Sequence, residues 1–140
     1  MKKIAIVVAG FDKEIANLLL KGAKDAWQEH CSGEPKIIWV PGAVEIPCMV
    51  ANIIDNYDAV LCLGAVIQGE TKHFDYVCKI AAEGCLQLAI ASKKPVTFGV
   101  LTTNNREQAL DRAGGRKGNK GYDTMLCTLD MLATINNLDA

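Results

Sequence analysis

The sequence predicts a three-layer α/β/α fold, in which helices cover both faces of a four-stranded parallel sheet. Four short apolar runs are continuous and rich in β-branched residues, as expected for strands buried on both faces. Between these runs lie segments whose apolar residues recur at three- and four-residue steps, which is typical of amphipathic helices. Such alternation favours parallel strands joined by crossover helices, and a length of 140 residues predicts one domain covering residues 1–140.

The four predicted strands lie at residues 4–8, 37–40, 59–63 and 96–101. After the first strand, apolar residues recur at helical spacing over residues 15–27, and Asp12 stands where a helix N-cap is expected. A second helical pattern covers residues 46–54, with Pro47 in the first turn, where proline is tolerated. A third covers residues 77–88 and leads to the fourth strand.

Two more helices are predicted after the fourth strand. Asn105 and Gln108 have the spacing of a capping box, which indicates a short helix ending at Gly114 and Gly115. Apolar residues at helical spacing over residues 122–132 predict the last helix. The expected order is therefore β-α-β-α-β-α-β-α-α.

Composition excludes several classes of protein. Half of the residues are apolar and 22% are charged, which excludes a disordered chain, and a net charge of -1 gives no general attraction to nucleic acid. No apolar run approaches the roughly 20 residues of a membrane span, and the N-terminus lacks the pattern of a signal peptide. The six cysteines lack metal-ligand spacing. We therefore expect reduced thiols, a cytoplasmic location, no metal site, and neither nucleic acid nor membrane as a partner.

Ligands of open parallel sheets bind beyond the carboxyl ends of the strands, so the segments that follow the strands are candidate sites. Phe11, after the first strand, could stack on a planar ligand or pack back on the next helix, and the residue alone favours packing. Glu45, after the second strand, could complement a helix dipole or hold ligand hydroxyls, and the sequence alone does not choose between the two.

The densest group of polar residues follows the third strand. Glu70 and Thr71 lead into a helix whose free amides favour an anion. His73 is expected in the first turn of that helix, where its imidazole could accept a proton from a bound substrate. His30, at the end of the first helix, is instead typical of a surface residue without a chemical role.

A cationic segment lies at residues 112–121, where four cationic side chains occur among four glycines. Such a segment could be a solvated loop, or it could bind phosphate through an arginine fork. Neither the Walker pattern nor the dinucleotide-binding glycine pattern occurs, so nucleotide hydrolysis and dinucleotide binding lose support.

Several of these segments together resemble the 6,7-dimethyl-8-ribityllumazine synthase family of riboflavin biosynthesis. Residues 40–47 read V-P-G-A-V-E-I-P, and residues 69–77 read G-E-T-K-H-F-D-Y-V. Residues 99–103, 107–109, 112–114 and 118–121 follow the rest of the family pattern in order. The resemblance implies a flavodoxin-like fold and a transferase. The implied reaction joins 5-amino-6-(D-ribitylamino)uracil to 3,4-dihydroxy-2-butanone 4-phosphate and releases phosphate and water.

The resemblance also implies roles for individual residues, a reaction that needs no cofactor, and assembly into a homo-oligomer. His73 would transfer protons, and Glu70, Thr71 and Arg112 would hold phosphate. The expected pyrimidine and ribityl contacts are Phe11, Ala43, Val44, Glu45, Ala65, Val66, Ile67 and Phe98. The implied assembly is a homopentamer, or a decamer or 60-subunit shell built from it, with sites between adjacent subunits. Phe98 and Arg112 would come from the neighbouring subunit, and riboflavin synthase is a candidate partner.

Four residues depart from the family pattern. Gly10 and Asp12 stand where arginine and asparagine are usual on either side of Phe11. Gln68 stands where arginine is frequent, and Val44 stands where an aromatic residue is frequent. Three other functions remain open from the sequence: a flavin-binding module without chemistry, a structural shell subunit, and a flavodoxin-like electron carrier. Release of phosphate from the two substrates would separate the synthase from all three.

Overall fold

A computed structural model describes residues 2–138. The strands of its main sheet are β1 (Ile4–Ala9), β2 (Lys36–Val40), β3 (Ala59–Ile67) and β4 (Val96–Thr103). The helices are α1 (Lys13–His30), α2 (Ile46–Ile53), α3 (His73–Ser92), α4 (Arg106–Asp111) and α5 (Lys120–Asn136). The strands are all parallel, in the order β2-β1-β3-β4. The predicted three-layer, flavodoxin-like fold is confirmed.

Two apolar cores lie on the two faces of the sheet. Helices α1, α4 and α5 cover one face, and α2 and α3 cover the other. Because side chains alternate along a strand, Ile6 and Leu61 pack into the first core, whereas Val7 and Cys62 pack into the second. Both central strands are thus buried on both faces, as predicted, and their carboxyl ends are held in fixed positions.

Helices α2 and α3 approach each other closely. A Cβ atom added to Gly84 of α3 would lie 2.5 Å from Cγ of Pro47 of α2, so only glycine fits at this contact. Pro47 lies in the first turn of α2, as the sequence predicts. The close approach holds together the two helices that begin beside Glu45 and at His73.

The prediction that all four strands are buried on both faces is wrong for β2, and it holds only in part for β4, the other edge strand, whose first three residues are half-buried. The pattern of exposure in β2 leaves Lys36 and Trp39 on the surface, because β2 is an edge strand that pairs only with β1. The ring of Trp39 is 40% exposed, and the ammonium group of Lys13 lies 5.2 Å from its centroid. A cation–π contact therefore covers part of this edge.

The prediction that the fourth helix ends at Gly114 and Gly115 is also wrong. Helix α4 ends at Asp111, and a short antiparallel hairpin follows, formed by β5 (Ala113–Gly115) and β6 (Gly118–Asn119). Gly114 has a φ of 108°, which a right-handed helix cannot accommodate. One of the two hydrogen bonds of the predicted capping box is present at the start of α4, since Oδ1 of Asn105 accepts from the Gln108 amide at 2.9 Å.

The six cysteines are free. Cys62 and Cys85 lie in the second core with their sulfur atoms 3.9 Å apart, and contact with the Cys85 thiol together with burial raises the pKa of Cys62. Over residues 2–138 no cluster of histidine, cysteine and carboxylate side chains is arranged to hold a metal ion. None of the helices in this part of the chain is long and apolar enough to cross a membrane.

Candidate active site

A cavity of about 480 Å³ opens at the carboxyl end of the sheet. Its walls come from the segments that follow β1 and β2, from the end of β3, and from the start of α3. The chain places β2 on one side of β1 and β3 on the other, which makes this the topological switch point of the sheet. Open α/β sheets bind their ligands at this place, because the loops diverge there and leave a crevice.

Two walls are largely apolar. One is the 3₁₀ turn Ala43–Glu45, in which Ala43 is buried and Val44 is 37% exposed. The other is the end of β3, where Ala65, Val66 and Ile67 line the cavity. These walls could hold a flat, partly apolar ring, and the Glu45 carboxylate is the acidic group on the cavity wall.

Phe11 lies in the segment that follows β1 and forms one wall of the cavity. Its side chain is 80% exposed, so the expectation that it packs back on the helix is wrong. Hydrogen bonds hold the backbone on both sides of Phe11. The Gly10 amide donates to the Val40 carbonyl at 2.9 Å, and Asp12 caps α1 by accepting from the Ile15 amide at 3.2 Å. A fixed backbone therefore presents an aromatic ring that has little packing of its own.

The start of α3 supplies the polar wall. His73 is the first residue of the helix, and both Thr71 and His73 line the cavity. The hydroxyl of Thr71 accepts from the His73 amide at 3.3 Å, while Lys72 at the N-cap position makes no side-chain cap. The positive end of the helix dipole therefore lies at the cavity wall, where a bound anion would be stabilised.

Three of the predicted site residues do not line this cavity. Glu70 is exposed and lies between Gly69 and Thr71, which do line it. Phe98 is half-buried in the middle of β4, and it packs against the second core. Arg112 follows α4, and its Nη1 donates to the Gln108 carbonyl at 3.0 Å. The resemblance implies that Phe98 and Arg112 act on a neighbouring subunit, and that role stays a prediction.

The predicted cationic segment, residues 112–121, contains the hairpin of β5 and β6 and reaches the start of α5. Nη2 of Arg116 donates to Oδ2 of Asp111 at 2.9 Å, and the Arg116 guanidinium holds the pKa of Asp111 below its usual value. The Asp111 carbonyl accepts from the Lys117 amide at 2.8 Å. The Arg116 side chain is therefore paired with Asp111 at the end of α4. In the part of the chain that the structure describes, the only hydrogen bond of the Arg112 side chain is the one to the Gln108 carbonyl.

The sequence did not single out Phe74 or Val77 as wall residues. Both lie in the first turns of α3 and line the cavity. Val77 belongs to the apolar stripe that marks this helix, and Phe74 lies inside the G-E-T-K-H-F-D-Y-V segment, so a signal was present for each. Both side chains also pack against the second core.

A family model described as 6,7-dimethyl-8-ribityllumazine synthase matches residues 1–136. The match covers all of the strands and helices described above, together with every residue that lines the cavity.

Proposed function

The chain belongs to the 6,7-dimethyl-8-ribityllumazine synthase family, transferases of riboflavin biosynthesis, and from this premise we propose the reaction that it catalyses. It joins 5-amino-6-(D-ribitylamino)uracil to 3,4-dihydroxy-2-butanone 4-phosphate and releases phosphate and water. The observation that carries the proposal is a single cavity that brings together Phe11, Glu45 and His73 at the ends of three different segments.

The ribitylaminouracil occupies the largely apolar part of the cavity. The Phe11 ring stacks on the pyrimidine, because an exposed aromatic ring on a fixed backbone offers a flat surface without a competing contact. The end of β3 at Ala65, Val66 and Ile67 flanks the same ring, and Phe98 of the adjacent subunit completes this wall. The ribityl chain lies along Ala43, Val44 and Glu45, where a carboxylate and backbone groups can bind its hydroxyls.

The butanone phosphate binds at the start of α3. Backbone amides of Glu70 and Thr71 hold the phosphate at the positive end of the helix. The guanidinium of Arg112 reaches the same phosphate from the neighbouring subunit and can bind two of its oxygens at once. This arrangement stabilises the phosphate both before and after it leaves the substrate.

His73 moves the protons that the reaction requires. The amine of the uracil attacks the ketone, the adduct loses water to give an imine, phosphate leaves, and the second amine closes the ring with loss of water. Holding the two substrates side by side can lower the activation free energy by about 7–11 kcal/mol. A positioned imidazole that takes a proton from the amine and gives one to the departing hydroxyl typically adds roughly 10²–10⁴-fold. No cofactor is required by these steps.

Phosphate release tests the reaction itself. We expect the wild-type protein to release inorganic phosphate and form the fluorescent lumazine in equal amounts when both substrates are present. Omission of either substrate should leave phosphate at the background rate, as should heat-denatured protein. A protein that binds the uracil but releases no phosphate above background would be a binding module and would refute the proposal.

The assembly is part of the proposal, because family members typically form oligomers and two of the proposed residues come from a neighbouring subunit. We propose a homopentamer with five sites at its subunit contacts, in a reducing cytoplasmic environment that suits six free thiols. Static light scattering should give a mass of about five chains, or a multiple of five where pentamers associate further. A monomer would refute a shared site.

A further inference from the structure

An ion-pair cluster joins α4 to the beginning of α1 beside the cavity. Arg106, the first residue of α4, donates from Nε to Oδ2 of Asp12 at 2.8 Å and from Nη2 to Oδ1 of Asp12 at 3.2 Å. The same Nη2 also contacts the Glu14 carboxylate. The geometry is the bidentate fork that makes arginine–carboxylate pairs stronger and more directional than other surface ion pairs.

Asp12 links this cluster to the cavity. It is directly bonded in sequence to Phe11, and its Oδ1 also accepts from the Ile15 amide as the N-cap of α1. One carboxylate therefore receives both a guanidinium and a helix amide. The Arg106 guanidinium holds the pKa of Asp12 below its usual value, so the carboxylate stays charged at a lower pH than an unpaired aspartate would.

The Phe11 ring depends on this backbone for its direction. At 80% exposure it makes few contacts that could choose among rotamers or hold the loop. The Gly10 amide is held by β2 on one side of Phe11, and the Asp12 carboxylate is held by Arg106 on the other. Loss of the second attachment would leave the Phe11 backbone with one fewer constraint, and ordering it on binding would then cost affinity.

We infer that Arg106 is a positioning residue for ligand binding, which acts through Asp12 to hold the Phe11 ring over the cavity. The inference rests on the proposed function, since it concerns the ring that faces the uracil substrate. Arg106 touches no wall of the cavity in the described part of the chain, so its effect should fall on binding of the ring and not on the chemical steps.

Arg106→Met tests this inference because it keeps the length of the side chain and removes the fork, while Asp12 can still cap α1. We expect the KM for the ribitylaminouracil to rise roughly three- to tenfold, a loss in the range of charge-assisted hydrogen bonds reduced for solvent exposure. The KM for the butanone phosphate and kcat should stay within about twofold. Arg106→Lys, which keeps the charge without the fork, should give a smaller increase.

A double-mutant cycle with Phe11→Ala decides whether the effect passes through the ring. In the Phe11→Ala background, Arg106→Met should cause no further rise in the KM for the uracil, because the ring it holds is gone. Lys21→Met is the matched control. It breaks a surface ion pair of 2.8 Å between Lys21 and Asp25, which both lie in α1 and do not line the cavity. It should leave both KM values unchanged.

The outcomes separate this inference from the proposed function. An unchanged KM in Arg106→Met, or an equal rise in both Phe11 backgrounds, overturns the inference while wild-type turnover leaves the proposed function intact. Absence of turnover in the wild-type protein overturns the proposed function, and the inference with it. Circular dichroism of each variant confirms that it is folded, and Arg106→Lys replaces Arg106→Met in the cycle if the latter does not fold.

Discussion

Replacement of His73 with alanine is expected to lower kcat for lumazine formation by roughly 10²–10⁴-fold, the usual contribution of a positioned acid–base group. The KM values should change little, because the cavity walls and the positive end of α3 remain in place. Residual turnover should persist, since the two substrates are still held together. Steady-state kinetics with both substrates varied would measure these effects.

The chain contains a natural control for this experiment. His30 is the other histidine, at the end of α1, and it is exposed and does not line the cavity. His30→Ala should retain full activity. A His73→Ala variant with wild-type kcat would remove the imidazole from the mechanism and leave proximity as the main source of rate.

Replacement of Arg112 with alanine is expected to act mainly on the butanone phosphate. Its KM should rise by roughly 10–100-fold, which corresponds to the loss of a charge-assisted, bidentate contact with phosphate. The KM for the uracil should change little. Within one chain the guanidinium contacts only the Gln108 carbonyl among the described hydrogen bonds, so loss of the side chain should not unfold α4. Thermal denaturation would verify this.

Complementation between two impaired variants tests whether the site is shared, with the butanone phosphate kept well below its wild-type KM so that sites lacking Arg112 contribute little. Co-expression of His73→Ala with Arg112→Ala subunits in equal amounts should place both intact side chains at about a quarter of the contacts in a head-to-tail ring. Activity should therefore recover to about that fraction of the wild-type rate. Failure to recover in mixed oligomers of verified composition would show that both residues serve a site within the same subunit.

Much of the fold could be predicted because its signals are local. Strands buried on both faces show as continuous apolar runs, and helices show as three- and four-residue periodicity with a cap such as Asp12. The loops at the carboxyl ends could be located for the same reason, since each directly follows a strand. This is why residues such as Glu45 and His73 were candidates before their positions were known.

The mistaken predictions share a physical cause. Whether β2 is buried depends on its place at the edge of the sheet, which no property of its own residues reveals. The end of α4 depends on a hairpin whose second strand follows the turn at Gly114. The residue type and position of Phe11 favour packing on the next helix, and only the position of the surrounding segments leaves it exposed.

The amino-acid sequence by itself determined the order of the main-sheet strands and the helices, the family, and the segments that could carry chemistry, because periodicity and motifs are properties of neighbouring residues. Only the tertiary structure decided which side chains share a cavity and which ion pairs hold its walls. Arg106 and Asp12 are separated by 94 positions in sequence, and nothing near either residue indicates the other. Their contact exists because α4 packs beside the start of α1, and such contacts depend on how whole elements are arranged.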